Sequence, residues 1–273
     1  MIKSISFWSM PPGTNIEGGM KLAKQVGFEA IELAVDEAGE LGLDTGADDL
    51  ARIRDLADAT GVKLPTVATG LGWAYPVVGP DSAVCDKGKR VVRKCLEVAQ
   101  ALGAGVILCV PGSVTDSFSY DAACEQLVPA FQALGDEAAD YGVVIGLENV
   151  WNKFMLSPVE FARLIDDIDR PYVQAYFDVG NVMLTGFPDQ WICILGSRIK
   201  AVHFKDFKCS IGTIQGFIDL LEGDVPWNRV MAAFKAAGYD GAVTAEMMPP
   251  YAHFPERLLE ATSRSMDAIL ALA

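Results

Sequence analysis

The chain has 273 residues, 51% of them hydrophobic, and a formal net charge of −14. That much apolar material can fill one large core, while the acidic balance excludes a nucleic-acid surface, which needs clustered Lys and Arg against phosphates. No apolar stretch reaches the length of a membrane span and the first eight residues lack the layout of a signal peptide, so the sequence reads as a cytoplasmic protein.

In chain order, residues 2–8 form the first strand pattern, and Trp8 stands at its end. After Pro11-Pro12-Gly13, Ile16, Met20, Ala23 and Val26 recur at helical spacing up to Gly27. Residues 30–33 read as a second strand, followed by a Gly- and acid-rich loop and a helix marked by Leu50, Ile53, Leu56 and Ala57. A third strand, 62–68, leads into a long loop carrying Trp73 and Tyr75. Asp81 is placed to cap the next helix, which keeps its 3.6-residue period to Gly103. Strand four covers 105–110, and Leu127, Phe131, Leu134 and Ala138 mark a helix in which Pro129 predicts a kink or a late start.

Strand five, 143–149, is followed by Ser157-Pro158-Val159-Glu160, a helix-start signature with Ser at N-cap, Pro at N1 and Glu at N3. Strand six runs to Asp178, strand seven to His203 and strand eight to Glu246, each followed by a helical stripe. Eight strands alternating with eight helices predict an α/β fold, a single (β/α)8 TIM barrel forming one domain over 1–273. An open doubly wound sheet would show a Gly-rich phosphate turn after strand one, and Pro11-Pro12-Gly13 is not one. The six cysteines, Cys85, Cys95, Cys109, Cys124, Cys193 and Cys209, have no CxxC or zinc-ribbon spacing and read as free thiols, several of them buried.

The functional signal lies in how four strands stop. The apolar runs of strands five to eight end at Glu148, Asp178, His203 and Glu246. A carboxylate at one strand end is ordinarily a cap or a solvated terminus, but successive strand ends of a barrel converge at one mouth. Three carboxylates placed together repel one another unless a cation sits among them. An imidazole plus three carboxylates is an oxygen-rich set that suits one divalent metal ion, Mn²⁺ or Mg²⁺, with Co²⁺ or Zn²⁺ as substitutes.

These segments also carry a likeness. Leu147-Glu148-Asn149, Phe177-Asp178-Val179-Gly180-Asn181, Val202-His203-Phe204-Lys205-Asp206 and Thr244-Ala245-Glu246-Met247 resemble the xylose-isomerase-like TIM-barrel superfamily, as does Gly223-Asp224-Val225-Pro226-Trp227. Within it the chain is similar to the sugar (or sugar-phosphate) isomerase/epimerase branch, which includes ketose 3-epimerases, L-ribulose- or L-xylulose-5-phosphate 3-epimerases and hexulose-6-phosphate isomerases. The resemblance implies that the four residues bind the metal and that Glu148 and Glu246 flank the substrate carbon as catalytic bases. It implies a small sugar or sugar phosphate as substrate, handled through a cis-enediolate. The same residues serve aldose–ketose isomerisation, an inosose-type dehydration, or a sugar-binding barrel without turnover. The related DNA-repair endonuclease uses a His-rich multi-zinc centre, and this chain has two histidines.

The chain departs from the best-known ketose 3-epimerases at two points. Asn181 stands where they resemble Asp-x-x-His, and their arginine after the metal histidine is missing, with Lys205 and Lys208 the nearby cations. The predicted substrate contacts are Trp8, Glu32, Trp73, Asn181, Lys205 and Lys208. For Glu32 the competing reading is a structural ion pair, and for Lys205 a pair with Asp206. Tyr75 is a second candidate lid aromatic; Lys153 is a weaker phosphate candidate and His253 reads as a loop residue. Aromatics in the long top-face loops suit a homodimer or homotetramer.

Overall fold

Apolar runs without alternation must be covered on both faces, and the chain meets that demand by closing its sheet. The computed structural model describes residues 1–248 and 251–272. Its closed parallel barrel consists of β1 (Ile2–Ser6), β2 (Ala30–Val35), β3 (Thr66–Thr69), β4 (Val106–Cys109), β5 (Val144–Glu148), β6 (Val173–Asp178), β7 (Ile199–Phe204) and β8 (Ala242–Ala245). The strands follow chain order around the ring, and Ile2↔Ala242 through Ile5↔Ala245 zip the last strand to the first. Between and after them run α1 (Ile16–Gln25), α2 (Ala47–Thr60), α3 (Ser82–Leu102), α4 (Tyr120–Tyr141), α5 (Pro158–Ile168), α6 (Pro188–Leu195), α7 (Trp227–Ala237) and α8 (Glu256–Leu270). The fold is the (β/α)8 TIM barrel that the alternation predicts.

The two-residue period of each strand divides the core in two. Outward residues pack under the helices: Phe177 stacks against Trp191 at 6.3 Å, and Phe204 meets Trp227 at 4.9 Å. Inward, Ala68, Val106, Leu108, Val110, Tyr176 and Ala201 form a separate small cluster. Tyr176 fits inside because Gly146 faces it: a Cβ at Gly146 would lie 2.9 Å from the Tyr176 Cβ.

Helix boundaries follow their signals. Asp81 Oδ1 accepts the N–H groups of Ala83 and Val84, and Ser157 Oγ accepts that of Glu160 at 3.2 Å. The glycines after α2, α3, α4 and α7 take φ from +66° to +76°, the left-handed turn that returns the chain to the next strand.

Three boundaries differ from expectation. β1 ends at Ser6, whose side chain accepts the Trp8 N–H and starts a 3-10 turn over Phe7–Ser9. β3 begins only at Thr66, after Pro65, which has no N–H for a ladder. α4 neither starts late nor breaks at Pro129, because Leu127 and Phe131 are buried on either side of it; tertiary packing outweighs the local penalty. Of the free cysteines, Cys85, Cys95 and Cys109 are buried, whereas Cys193 and Cys209 are exposed. Among the described residues no helix is long and apolar enough to cross a membrane.

Candidate metal centre and substrate cavity

Register decides which strand tips meet. Asp178 pairs with His203 across β6 and β7, and the Glu246 N–H donates to the Phe204 carbonyl at 3.1 Å, so the chain just past β8 lies beside β7. Glu148 at the end of β5 pairs with Tyr176, two residues short of Asp178. Asn149 locks that stagger, since its side-chain oxygen accepts the Asp178 N–H and its amide donates to the Asp178 carbonyl, both at 2.8 Å. The result gathers Glu148, Asp178, His203 and Glu246, all buried, with one ligand atom from each inside a 4.8 Å spread.

The donor set fits a divalent cation. His203 Nδ1 stands 2.8 Å from Glu246 Oε2 and 3.8 Å from both Glu148 Oε1 and Asp178 Oδ2. Opposite ligands of a Mg²⁺-sized ion stand about 4 Å apart, so only small adjustments close the shell. Asp178 Oδ2 and His203 Nδ1 are buried and make no hydrogen bond of good geometry, although Lys205 Nζ stands 3.0 Å from the first and Glu246 Oε2 2.8 Å from the second; a divalent cation among them would satisfy both atoms.

Beneath the cluster lies Glu32, fully buried. Its Oε1 is 2.8 Å from His203 Nε2, and its Oε2 accepts the Thr66 hydroxyl at 2.7 Å and the Tyr176 hydroxyl. A carboxylate at Nε2 holds a proton there, so Nδ1 is the nitrogen that faces the other ligands and would offer its lone pair to a metal ion once deprotonated. The ion-pair reading of Glu32 therefore describes its position, and both its oxygens are engaged away from the cavity.

Lys205 supplies the second cation of the cluster. Its Nζ lies 3.0 Å from Asp178 Oδ2 and 2.7 Å from Glu246 Oε2, and the competing reading, a pair with Asp206, does not hold. Asp206 accepts the N–H groups of Phe207, Leu221 and Val225 and the Trp227 indole N–H, pinning the long segment after β7. These charges set the proton affinities. Burial pushes the Glu148 carboxyl up to about 7 against the pull of His203 and Lys205. Burial also opposes the charge on Glu246, but Lys205 and His203 overcome it and hold that carboxyl down at about 2. Burial disfavours His203 carrying a proton, yet Glu32 and Glu246 raise it well above its ordinary value.

A cavity of about 420 Å³ opens above this floor, lined by Glu148, Glu246, Lys205, Asn181 and Thr69 below and by Trp8, Trp73, Trp151, Phe217, Ile214 and Met248 around the sides. Trp8, Trp73, Asn181 and Lys205 thus line one cavity together with Glu148 and Glu246. Asn181 also steadies the floor, its N–H donating to Asp178 Oδ1 at 2.7 Å and its side-chain amide to the Asn149 carbonyl at 3.0 Å. Lys208 is outside the cavity, 2.8 Å from Asp224. Tyr75 is not a lid residue: its hydroxyl donates to Glu37 and Lys87 covers its ring. Lys153 and His253 are exposed loop residues. Sequence reasoning missed Trp151 and Phe217. Trp151 follows Glu148 by three residues and was open to notice; Phe217 reaches the cavity only through a two-residue ribbon with Asp206–Phe207.

Fold and site together define a barrel with a buried four-residue cluster, at the carboxyl ends of its last strands, that could hold a metal ion. The chain belongs to the xylose isomerase-like TIM barrel family, whose model matches residues 20–269. It is 26% identical over 250 residues to the L-ribulose-5-phosphate 3-epimerase UlaE of Salmonella heidelberg, covering 90% of this chain and 87% of that one. Among solved structures, D-psicose 3-epimerase from Clostridium cellulolyticum H10, with D-tagatose, superposes with a TM-score of 0.82 at 16% identity over 100% of this chain and 99% of that chain. The 3-keto-D-glucoside 4-epimerase YcjR from E. coli superposes at 0.79 with 17% identity, over 99% and 100%. These relatives are epimerases, which are isomerases; the structural likenesses show the fold.

Proposed function

We propose that the protein is a metal-dependent sugar epimerase that inverts C3 of a ketose or ketose phosphate. The observation that carries this reading is that two of the four clustered residues, Glu148 and Glu246, are carboxylates lining the floor of a cavity of about 420 Å³. β6 and β7 stand between the strands that deliver them, so the two approach a bound sugar from different sides. Glu148, Asp178, His203 and Glu246 would hold a divalent ion, Mn²⁺ by its donor preference, and that ion would polarise the carbonyl and adjacent hydroxyl of the ketose.

The remaining chemistry belongs to the two glutamates. One removes the C3 proton, leaving a cis-enediolate across C2 and C3. The other delivers a proton to the opposite face, which inverts the centre. Removal of a C1 proton instead, with return of a proton to C2 of the resulting 1,2-enediolate, would give an aldose. Trp8 and Trp73 offer ring faces to the sugar carbons, and Asn181 an amide to a hydroxyl.

The test is solvent deuterium incorporation with Mn²⁺ present, using free ketoses and their 5- or 6-phosphates. We expect deuterium at C3 together with the C3 epimer. Deuterium at C2 with an aldose product would replace epimerisation by isomerisation, and a dehydrated ultraviolet-absorbing product would make the protein a lyase. No exchange in any sugar would overturn proton transfer altogether.

A further inference from the structure

Lys205 is built into the centre with a care that charge balance alone does not require. It follows His203 by two residues on extended chain, so both side chains project to the inside of the barrel while Phe204 packs outward. Its stem passes over Gly180, where an added Cβ would come within 2.5 Å of the Lys205 Cβ. The ring of Phe217 lies 5.5 Å from its Nζ on the cavity side. Held in this slot, the ammonium reaches Asp178 Oδ2 and Glu246 Oε2 in one direction and the cavity in the other.

Those two carboxylates also belong to the metal-ligand set. A divalent ion among the four ligands takes over the carboxylate oxygens and repels a second cation beside them. The Lys205 stem cannot retreat past Gly180, so the polar space left to its ammonium is the cavity floor. We propose that Lys205 is the resident cation of the metal-free centre, and that metal loading turns its ammonium to the substrate oxygen that becomes negative on proton removal. This rests on the proton-transfer reading above, and it makes Lys205 a catalytic residue. A hydrogen-bond donor aimed at developing charge contributes on the order of 10²-fold or more to rate.

The experiment compares wild type with Lys205→Met and Lys205→Arg, first for Mn²⁺ binding by titration calorimetry after chelation, then for solvent deuterium exchange at saturating Mn²⁺. Lys205→Met removes the competing cation and is expected to bind Mn²⁺ at least as tightly as wild type, while its exchange kcat falls about 10²-fold with a smaller change in KM. Lys205→Arg grips carboxylates through a planar fork and is expected to bind Mn²⁺ more weakly; it also serves if the Met variant fails to fold. Loss of Mn²⁺ binding in a folded Lys205→Met protein would make the lysine a structural strut and overturn the proposal. An unchanged kcat would overturn its catalytic half. If wild type exchanges no sugar, the reaction itself fails and takes the catalytic half with it, while the Mn²⁺ titrations decide the placeholder half alone.

Discussion

The floor and the wall of the same cavity are built on opposite plans. The floor draws Glu32 from β2, Glu148 from β5, Asp178 from β6, His203 from β7 and Glu246 from the end of β8. Each is buried and each touches at least one other charged member. The wall draws Trp8, Trp73, Trp151, Ile214 and Phe217 from loops and short turns, and Trp73 and Ile214 remain 54% exposed. Rigid strands hold groups to the tolerance that proton transfer needs, whereas loops offer apolar surface that can differ without disturbing the chemistry. The contrast predicts that floor substitutions act on turnover and metal binding, and wall substitutions on substrate preference.

The largest effects should come from Glu148→Gln and Glu246→Gln. Each keeps an oxygen donor but cannot exchange a proton, so deuterium incorporation should fall by about 10²–10⁴-fold. Mn²⁺ titrations run alongside separate loss of the base from loss of the ion. If either variant keeps wild-type exchange with Mn²⁺ bound, that glutamate belongs to the ligand set only.

Metal affinity should rise steeply with pH. Around pH 6 the Glu148 carboxyl, at about 7, is mostly protonated, and so is His203, which Glu32 and Glu246 raise well above its ordinary value. An incoming ion must displace both, so Mn²⁺ should bind at least about tenfold tighter at pH 8 than at pH 6, with protons released into the buffer. The same groups set the stability of the metal-free protein. Glu148 and His203 both have folded values above their unfolded ones, so the folded state binds more protons and stability falls as pH rises: from about 4.5 to 7 for Glu148, and from 6.5 upward for His203. Glu246, held down at about 2, contributes stability that stays constant across this window and is lost only in acid. Melts in EDTA at pH 5.5 and 7.5 check the sign. A higher melting temperature at pH 7.5 would show that the carboxylate cluster is not strained without metal.

Glu32→Gln should weaken Mn²⁺ binding by about 10–100-fold, the usual cost of losing a carboxylate behind a ligating histidine. Wild-type affinity in that variant would reduce Glu32 to core filling. This residue also marks where legibility ended. The four clustered residues were readable because doubly buried strands give unbroken apolar runs, and a polar residue at the end of each interrupts them visibly. Glu32 instead interrupts the run of β2 from within, and a structural ion pair was the competing expectation; but its partner is 171 residues away, and only the closed barrel brings β2 to face β7. Lys205 was legible as a cavity residue, but its carboxylate partners were not. Its neighbour Asp206 looked like the nearer partner, but adjacent side chains on extended backbone point to opposite sides. The wall was least legible, since loops carry no periodicity to say which aromatic faces inward; Trp73 and Tyr75 are two residues apart, and only Trp73 lines the cavity.

Trp73→Ala is the mildest of these changes and the most direct probe of the wall. Trp73 sits in a single 3-10 turn, Leu71–Trp73, and is half exposed, so its loss opens no core cavity and should shift stability by no more than about 0.5 kcal/mol. A ring face against sugar C–H groups contributes about 1 kcal/mol, which corresponds to a roughly fivefold rise in KM. The reacting carbon lies at the floor, where Glu148 and Glu246 are untouched, so kcat should hold. The pattern ought to depend on the sugar, with the largest change in KM for the longest ketose, which reaches highest up the wall. If kcat falls while KM stays constant, Trp73 helps to place the C3 proton, and the division of labour between wall and floor fails at that residue.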